Sequence, residues 1–366
     1  MEDVDMGNNR KKILHLLNDD TLMNIKSLWN LENYQLSIHP QYDGCQNIIY
    51  YLTNGVNEYV LRLSFREDRN CELLKAETHF IDYLHSGGAN VAYPIISVNN
   101  TFVETIRLGN IDIYGVLFVK ANGFRLPDKN YQYREGVSLD EYYFNYGKTL
   151  GLMHKLTKSY VPVNDRIIRH GLIENMENIL IPKYLPGNLN IIKNKFDILI
   201  SETKQFQKDK DSYGLIHADF GDGNFTIDYT NGNITIFDFD DSAYCWFMYD
   251  IADAWTKGTG WAMSEKCIEK RKNKMNEYFG KIMNAYSTEN TINDKWLSKL
   301  PFFIKIVEME ALISEFQSSV VNSEVVEYDE EMNYRIECIE KDIQYLGFFD
   351  KIYDHENPFC LIKENS

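Results

Sequence analysis

The chain has 366 residues, 44% of them hydrophobic, enough for two lobes with separate cores, and its 14% aromatic content with 25 tyrosines argues against disorder. A formal charge of −16 argues against a nucleic-acid partner, whose binding rests on Lys and Arg neutralising phosphates, and suits a cationic or small neutral ligand. The six cysteines are scattered without a Cys-x-x-Cys pair, residues 1–9 have no apolar core of a signal peptide, and no apolar run reaches the roughly 18 residues of a membrane span. A cytoplasmic protein with reduced thiols, no zinc and no membrane contact is expected.

In chain order, residues 11–30 read as helical, with Ile13, Leu14, Leu17, Leu22 and Ile25 on the apolar side and Asn18-Asp19-Asp20 as a break. Strand-like runs at 47–52 and 59–64 flank a turn-rich stretch at 53–57 and read as a hairpin. Leu73, Leu74, Ala76, Phe80, Ile81 and Leu84 predict a helix over 70–85, stopped by Gly87-Gly88. Further strands are expected at 94–98, 101–106 and 111–119, before a polar, Gly-containing hinge at 120–123. Beyond it helices dominate: 144–156, then 265–286, 296–316 and 324–346.

Between these helical halves lies the segment 215–238, which carries the chemistry. His217-Ala218-Asp219-Phe220-Gly221-Asp222-Gly223-Asn224 is followed by an apolar run ending in Phe237-Asp238-Phe239-Asp240-Asp241. Asp219 and Asn224 stand five apart, the separation of the base and the metal-binding Asn in a kinase catalytic loop, and Asp238 follows as a second metal carboxylate. Transfer of a γ-phosphoryl group needs a carboxylate on the acceptor hydroxyl and oxygen ligands for Mg²⁺, so Asp219, Asn224 and Asp238 fill these roles as a set. Singly, each has an ordinary explanation as a turn or strand-end residue. His217 is read as bonding backbone beside the loop.

This spacing resembles the aminoglycoside phosphotransferase / choline kinase-like family, which writes the loop His-Gly-Asp-x-x-x-x-Asn and the metal segment Ile-Asp-[Phe/Trp]. Ala218 stands where the family has Gly, and Asp250-Ile251-Ala252 matches the motif that commonly follows the metal Asp. Phe239-Asp240-Asp241 is nearest to the stress-response-kinase and homoserine-kinase-like branches. The resemblance implies an α+β, bilobal protein-kinase-like fold. Residues 1–120 would form an amino lobe of small antiparallel sheet plus helix, and residues 121–366 a larger, mainly helical carboxyl lobe.

It also implies the nucleotide contacts. Arg62, where most kinases carry Lys on the third strand, would grip the phosphates of ATP, oriented by Glu77 or, as runner-up, Glu72. Gly44 and Gln46 occupy the place of the phosphate-covering loop, and Phe118, Lys120 and Ala121 that of the adenine-binding backbone. On the acceptor side the candidates are Asp240, Asp241, Tyr244 and Trp246, carboxylates beside aromatic faces that suit an amine. The expected activity is ATP- and Mg²⁺-dependent phosphoryl transfer to a hydroxyl of a small, amine-bearing molecule. The alternatives are a Ser/Thr protein kinase of the same fold and a non-catalytic pseudokinase, the latter disfavoured because Asp219, Asn224 and Asp238 are all present.

Overall fold

A computed structural model of the chain describes residues 6–38, 47–66, 69–262, 264–265, 267–321, 328–347, 351–353 and 361–363. Gly44 and Gln46 lie outside the described residues. The chain divides into two compact units, one formed mainly by Met1–Ala121 with Val161–Arg169, the other mainly by Asn122–Tyr160 and His170–Val320 with the chain from Val325 onward. The first unit runs to Ala121 and takes in residues 161–169 as well.

The first unit opens with α1 (Met6–Leu16) and α2 (Asp19–Ser27). They are separate helices because the Asn18 side chain accepts the N–H of Thr21 and caps α2, so the polar run is a break. A five-stranded antiparallel sheet follows, in the order β1-β2-β3-β5-β4, from β1 (Gln35–Ile38), β2 (Asn47–Thr53), β3 (Glu58–Ser64), β4 (Glu104–Leu108) and β5 (Ile111–Val119). The sequence reading lacked β1, four residues with only one partly buried side chain and hence no clear alternation. It also expected a strand at 94–98, where the chain makes a single bridge, Pro94 to Phe118. Proline has no N–H to extend a ladder.

Helix α3 (Cys71–Ser86), capped by Asn70, buries Leu74, Ala76, Glu77, Phe80, Ile81 and Leu84. A separate cluster of Ile13, Leu17, Ile25, Trp29, Ile48, Leu52, Leu61, Leu63, Ile113 and Leu117 joins α1 and α2 to the sheet. Each fully buried aliphatic side chain contributes about 1.5–3 kcal/mol, so this cluster holds β3 in place.

The second unit is mostly helical. Helix α4 (Leu139–Thr157) is capped by Ser138, α5 (Leu172–Asn175) and α6 (Ile181–Tyr184) enclose a π-helical turn at Met176–Leu180, and α7 (Asn190–Thr203) follows. Two small antiparallel sheets come next: β6 (Tyr213–Ile216) pairs with β9 (Ala243–Trp246), and β7 (Phe225–Ile227) with β8 (Ile234–Ile236). Then come α8 (Met248–Trp261), α9 (Ile268–Tyr286), α10 (Asp294–Leu297), α11 (Leu300–Val321) and α12 (Glu330–Glu340), and a short pair, β10 (Lys351–Tyr353) and β11 (Leu361–Lys363).

Helices α4 and α9 approach at glycines. A Cβ on Gly147 would lie 2.0 Å from the Ile282 carbonyl oxygen, and one on Gly151 2.6 Å from that of Tyr286. The far end of α4 is tied to β6, where Thr157 Oγ1 donates to the Leu215 carbonyl at 3.0 Å. The segment that begins at β6 is thereby fastened to α4.

Candidate active site

The loop between β6 and β7 is held from three sides. Asp250, in the first turn of α8, receives the His217 N–H on Oδ2 (3.2 Å) and the Ala218 N–H on Oδ1 (3.0 Å). His154 Nε2 also bonds Asp250 Oδ2 at 3.2 Å, and its Nδ1 meets the Tyr286 hydroxyl at 3.0 Å, so the loop is linked to α4 and α9 through buried groups. These bonds fix Ala218 at φ 69, the left-handed region that glycine enters most easily.

His217 is fully buried and binds on both ring nitrogens. Nδ1 accepts the Asp219 N–H (3.3 Å) and Nε2 donates to the Phe237 carbonyl (3.2 Å), which requires the neutral Nε2–H tautomer. Burial pushes its pKa down in the same direction. Phe237 is gripped again by its own N–H, which donates to the Asn224 carbonyl at 2.9 Å. The residue after it, Asp238, turns through φ 61 and is exposed. The His217 ring and the Phe237 backbone thus tie the loop at Asp219 and Asn224 to the residue that precedes Asp238.

Asp219 has both carboxylate oxygens engaged. Asn224 Nδ2 donates to Oδ2 at 2.6 Å, and Lys257 Nζ, from α8, donates to Oδ1 at 3.0 Å. The ammonium beside it is the main cause that holds the Asp219 carboxyl below the usual range. With the Asn224 amide nitrogen spent on Asp219, its oxygen is the atom left to bind a cation. Among the described residues no group of three or more His, Cys, Asp or Glu is placed to hold a metal.

Asp219 opens on a cavity of about 480 Å³ in the second unit. Its walls include Asp241, Asp253, Glu308 and Glu310 against the cations Lys257 and Arg335, with His170 at one side. Lys257 pairs with Asp253 at 2.6 Å as well as with Asp219, and Arg335 pairs with Glu308 at 3.2 Å and Glu315 at 3.4 Å. Glu310 accepts a hydrogen bond from Ser314 at 3.0 Å and has no cation partner among the described residues. Burial, reinforced by Asp241, raises its carboxyl to about 7.

Of the acceptor-side residues expected from sequence, Asp241 lines this cavity. Trp246 does not: it is 2% exposed, packed among aromatic rings, and its indole N–H is bonded to the Gln207 carbonyl. Tyr244 stacks on Tyr213, and Asp240 is buried. The sequence reading missed Lys257, Glu308, Glu310 and Arg335. Lys257 carried one signal, its i, i+4 spacing from Asp253 on a helix; α11 and α12 are too distant in sequence for any motif to have linked them to the loop.

In the first unit, Arg62 and Glu77 form a bidentate pair, Nη1 to Oε1 at 2.8 Å and Nη2 to Oε2 at 2.7 Å, with Glu77 fully buried. Glu72 is exposed in the first turn of α3 and takes no part in this pair. The Arg62 guanidinium lies 5.1 Å from the centre of the Phe118 ring, while Lys120 donates to Glu58 at 3.0 Å.

Comparison with known proteins follows the same lines. Residues 41–266 match the model of the phosphotransferase enzyme family, and the chain belongs to that family. It is a small-molecule phosphotransferase of α+β, protein-kinase-like fold. It is similar to the amicoumacin kinase of Bacillus subtilis (strain 168), 28% identical over 270 residues, 72% of this chain and 75% of that protein. Its fold is shared with a solved amicoumacin kinase in complex with AMP-PNP and Ca²⁺ (TM-score 0.72, 22% identity, 91% of this chain and 95% of the other). A microcompartment-associated aminopropanol kinase also shares it (TM-score 0.63, 15% identity, 90% and 100%).

Proposed function

We propose that the chain moves the γ-phosphoryl group of Mg-ATP to a hydroxyl of a small acceptor that carries an ammonium group. The observation that carries this reading is the cavity at Asp219, where Asp241, Asp253, Glu308 and Glu310 outnumber Lys257 and Arg335. Both cations are already committed to carboxylates, and a partly buried carboxylate without a cation, such as Glu310, gains most from one that arrives with the ligand. The names of the amicoumacin and aminopropanol kinases point the same way.

In this reading Asp219 orients the acceptor hydroxyl and receives its proton as transfer proceeds, a role its two fixed oxygens suit. Asn224 and Asp238 would hold Mg²⁺ through their hard oxygen atoms. Bound Mg²⁺ neutralises charge on the transferring phosphoryl group. Arg62, held in place by Glu77, presents its cation to the nucleotide phosphates.

The test is ADP release from Mg-ATP with amicoumacin, 1-amino-2-propanol and the neutral triol glycerol as acceptors. Turnover is expected with at least one amine and not with glycerol, and Glu310→Gln is expected to raise the KM for the amine roughly tenfold with little change in the KM for ATP, the effect of one lost charge contact. Equal turnover of glycerol and the amines would remove the ammonium from the proposal.

A further inference from the structure

We propose that Lys257 is a positioning residue for the catalytic carboxylate, and that the loop is shaped to admit it. This rests on the reading of Asp219 as the base. Lys257 Nζ bridges Asp219 Oδ1 at 3.0 Å and Asp253 Oδ2 at 2.6 Å, one helical turn away on α8. The second observation is independent of the ion pairs. A Cβ built on Gly221, inside the catalytic loop, would lie 2.9 Å from Lys257 Nζ and 3.1 Å from its Cε. A side chain at Gly221 would therefore crowd the end of the lysine, which would have to shift to clear it.

The consequence is geometric. Asn224 holds Oδ2 of Asp219 and Lys257 holds Oδ1, so the carboxylate plane is fixed by two donors from different elements, the loop itself and α8. Asp253 anchors the lysine from behind, and its carboxyl is buried while Asp219 is half exposed to the cavity. The ammonium also occupies the position from which an acceptor's own ammonium would pair with Asp219. The acceptor is then steered to offer its hydroxyl to the base and its ammonium to Glu310 and Asp241 across the cavity. A carboxylate that loses one of two fixed donors swings away from the near-attack geometry, and a misplacement of this size costs roughly 10²-fold.

The experiment measures ADP release from Mg-ATP with amicoumacin as acceptor and, in parallel, with water alone. Lys257→Ala is expected to lower kcat roughly 10²-fold while the KM for ATP changes less than about threefold. Tens of millimolar ethylammonium should restore part of that loss, which a purely structural lysine would not show, and Lys257→Arg should keep more activity than Lys257→Ala. In an Asp219→Asn background, Lys257→Ala should cost less than about threefold more, because residues acting as one unit are non-additive. Gly221→Ala keeps the charge but crowds the lysine, and it should lower kcat in the wild-type background and have little effect once Lys257 is alanine. A kcat within threefold of wild type for Lys257→Ala, or losses that simply add to those of Asp219→Asn, would overturn the role of Lys257 alone. Near-wild-type turnover by Asp219→Asn would overturn the base assignment and this inference with it.

Discussion

Arg62 and Glu77 show how much a single pair is asked to do. Both are buried and each guanidinium nitrogen in the pair has its own carboxylate oxygen, the arrangement that Lys cannot reproduce with one ammonium. Arg62→Ala would leave Glu77 charged and buried, and is expected to cost about 3–5 kcal/mol of stability in denaturant unfolding, whereas replacing both by apolar residues should recover most of it. The same single variant should weaken ATP use, and the losses from Arg62→Ala and Glu77→Ala should not add. Glu310 tests the opposite case, a carboxylate without a cation. Its unfolded value is near 4.5 and its folded value about 7, so the folded protein holds the proton more tightly. Its contribution is full below pH 4.5 and is lost as pH rises through 7. Glu310→Gln is accordingly expected to gain on wild type at pH 8, by on the order of 1–3 kcal/mol, and to gain nothing at pH 4.5; equal stability differences at both pH values would contradict this.

At the scale of elements, the strain and the close packing fall where the loop between β6 and β7 is fastened. Ala218 sits at φ 69 with its N–H held by Asp250, so the conformation is imposed by α8 rather than chosen by alanine. Left-handed geometry costs an L-residue about 1–2 kcal/mol, partly offset by the greater freedom glycine has when unfolded. Ala218→Gly is expected to raise the unfolding free energy by about 0.5–1 kcal/mol, read as a higher Tm, and a lower Tm would show that alanine's methyl group is stabilising in a way the φ angle does not reveal. The α4–α9 contact is a stricter case. Gly147 lies against the Ile282 backbone, which cannot rotate aside as a side chain can, so Gly147→Ala is expected to cost about 3 kcal/mol or more by separating the two helices. Since His154 on α4 bonds Asp250 and is itself held by the Tyr286 hydroxyl on α9, kcat should fall with it.

For the whole molecule, the parts legible in the sequence were those with local chemistry. The apolar spacing of α3, the short apolar run of β2 and the Asp219–Asn224 interval each lie within a short window, where side-chain type and spacing carry the information. The cap at Asn18 was legible only as a break, and β1 not at all, because its exposed side chains give no alternation. The walls of the cavity were illegible for a different reason. Glu310 and Arg335 come from helices about 90 and 115 residues beyond Asp219, and only the folded packing of α8, α11 and α12 brings them to it. Trp246 misled because an aromatic residue beside carboxylates has the same signature whether it faces a ligand or a core; its bonded indole and its burial place it in the core.

The proposed reaction is phosphoryl transfer with Asp219 as the base. It is tested most directly by single-turnover transfer from Mg-ATP to amicoumacin or 1-amino-2-propanol in wild type and in Asp219→Asn, with nucleotide affinity measured alongside by titration. The variant is expected to bind Mg-ATP within about threefold of wild type and to transfer roughly 10²–10⁴-fold more slowly, the range for loss of a positioned general base. Transfer by Asp219→Asn at near the wild-type rate would contradict the assignment.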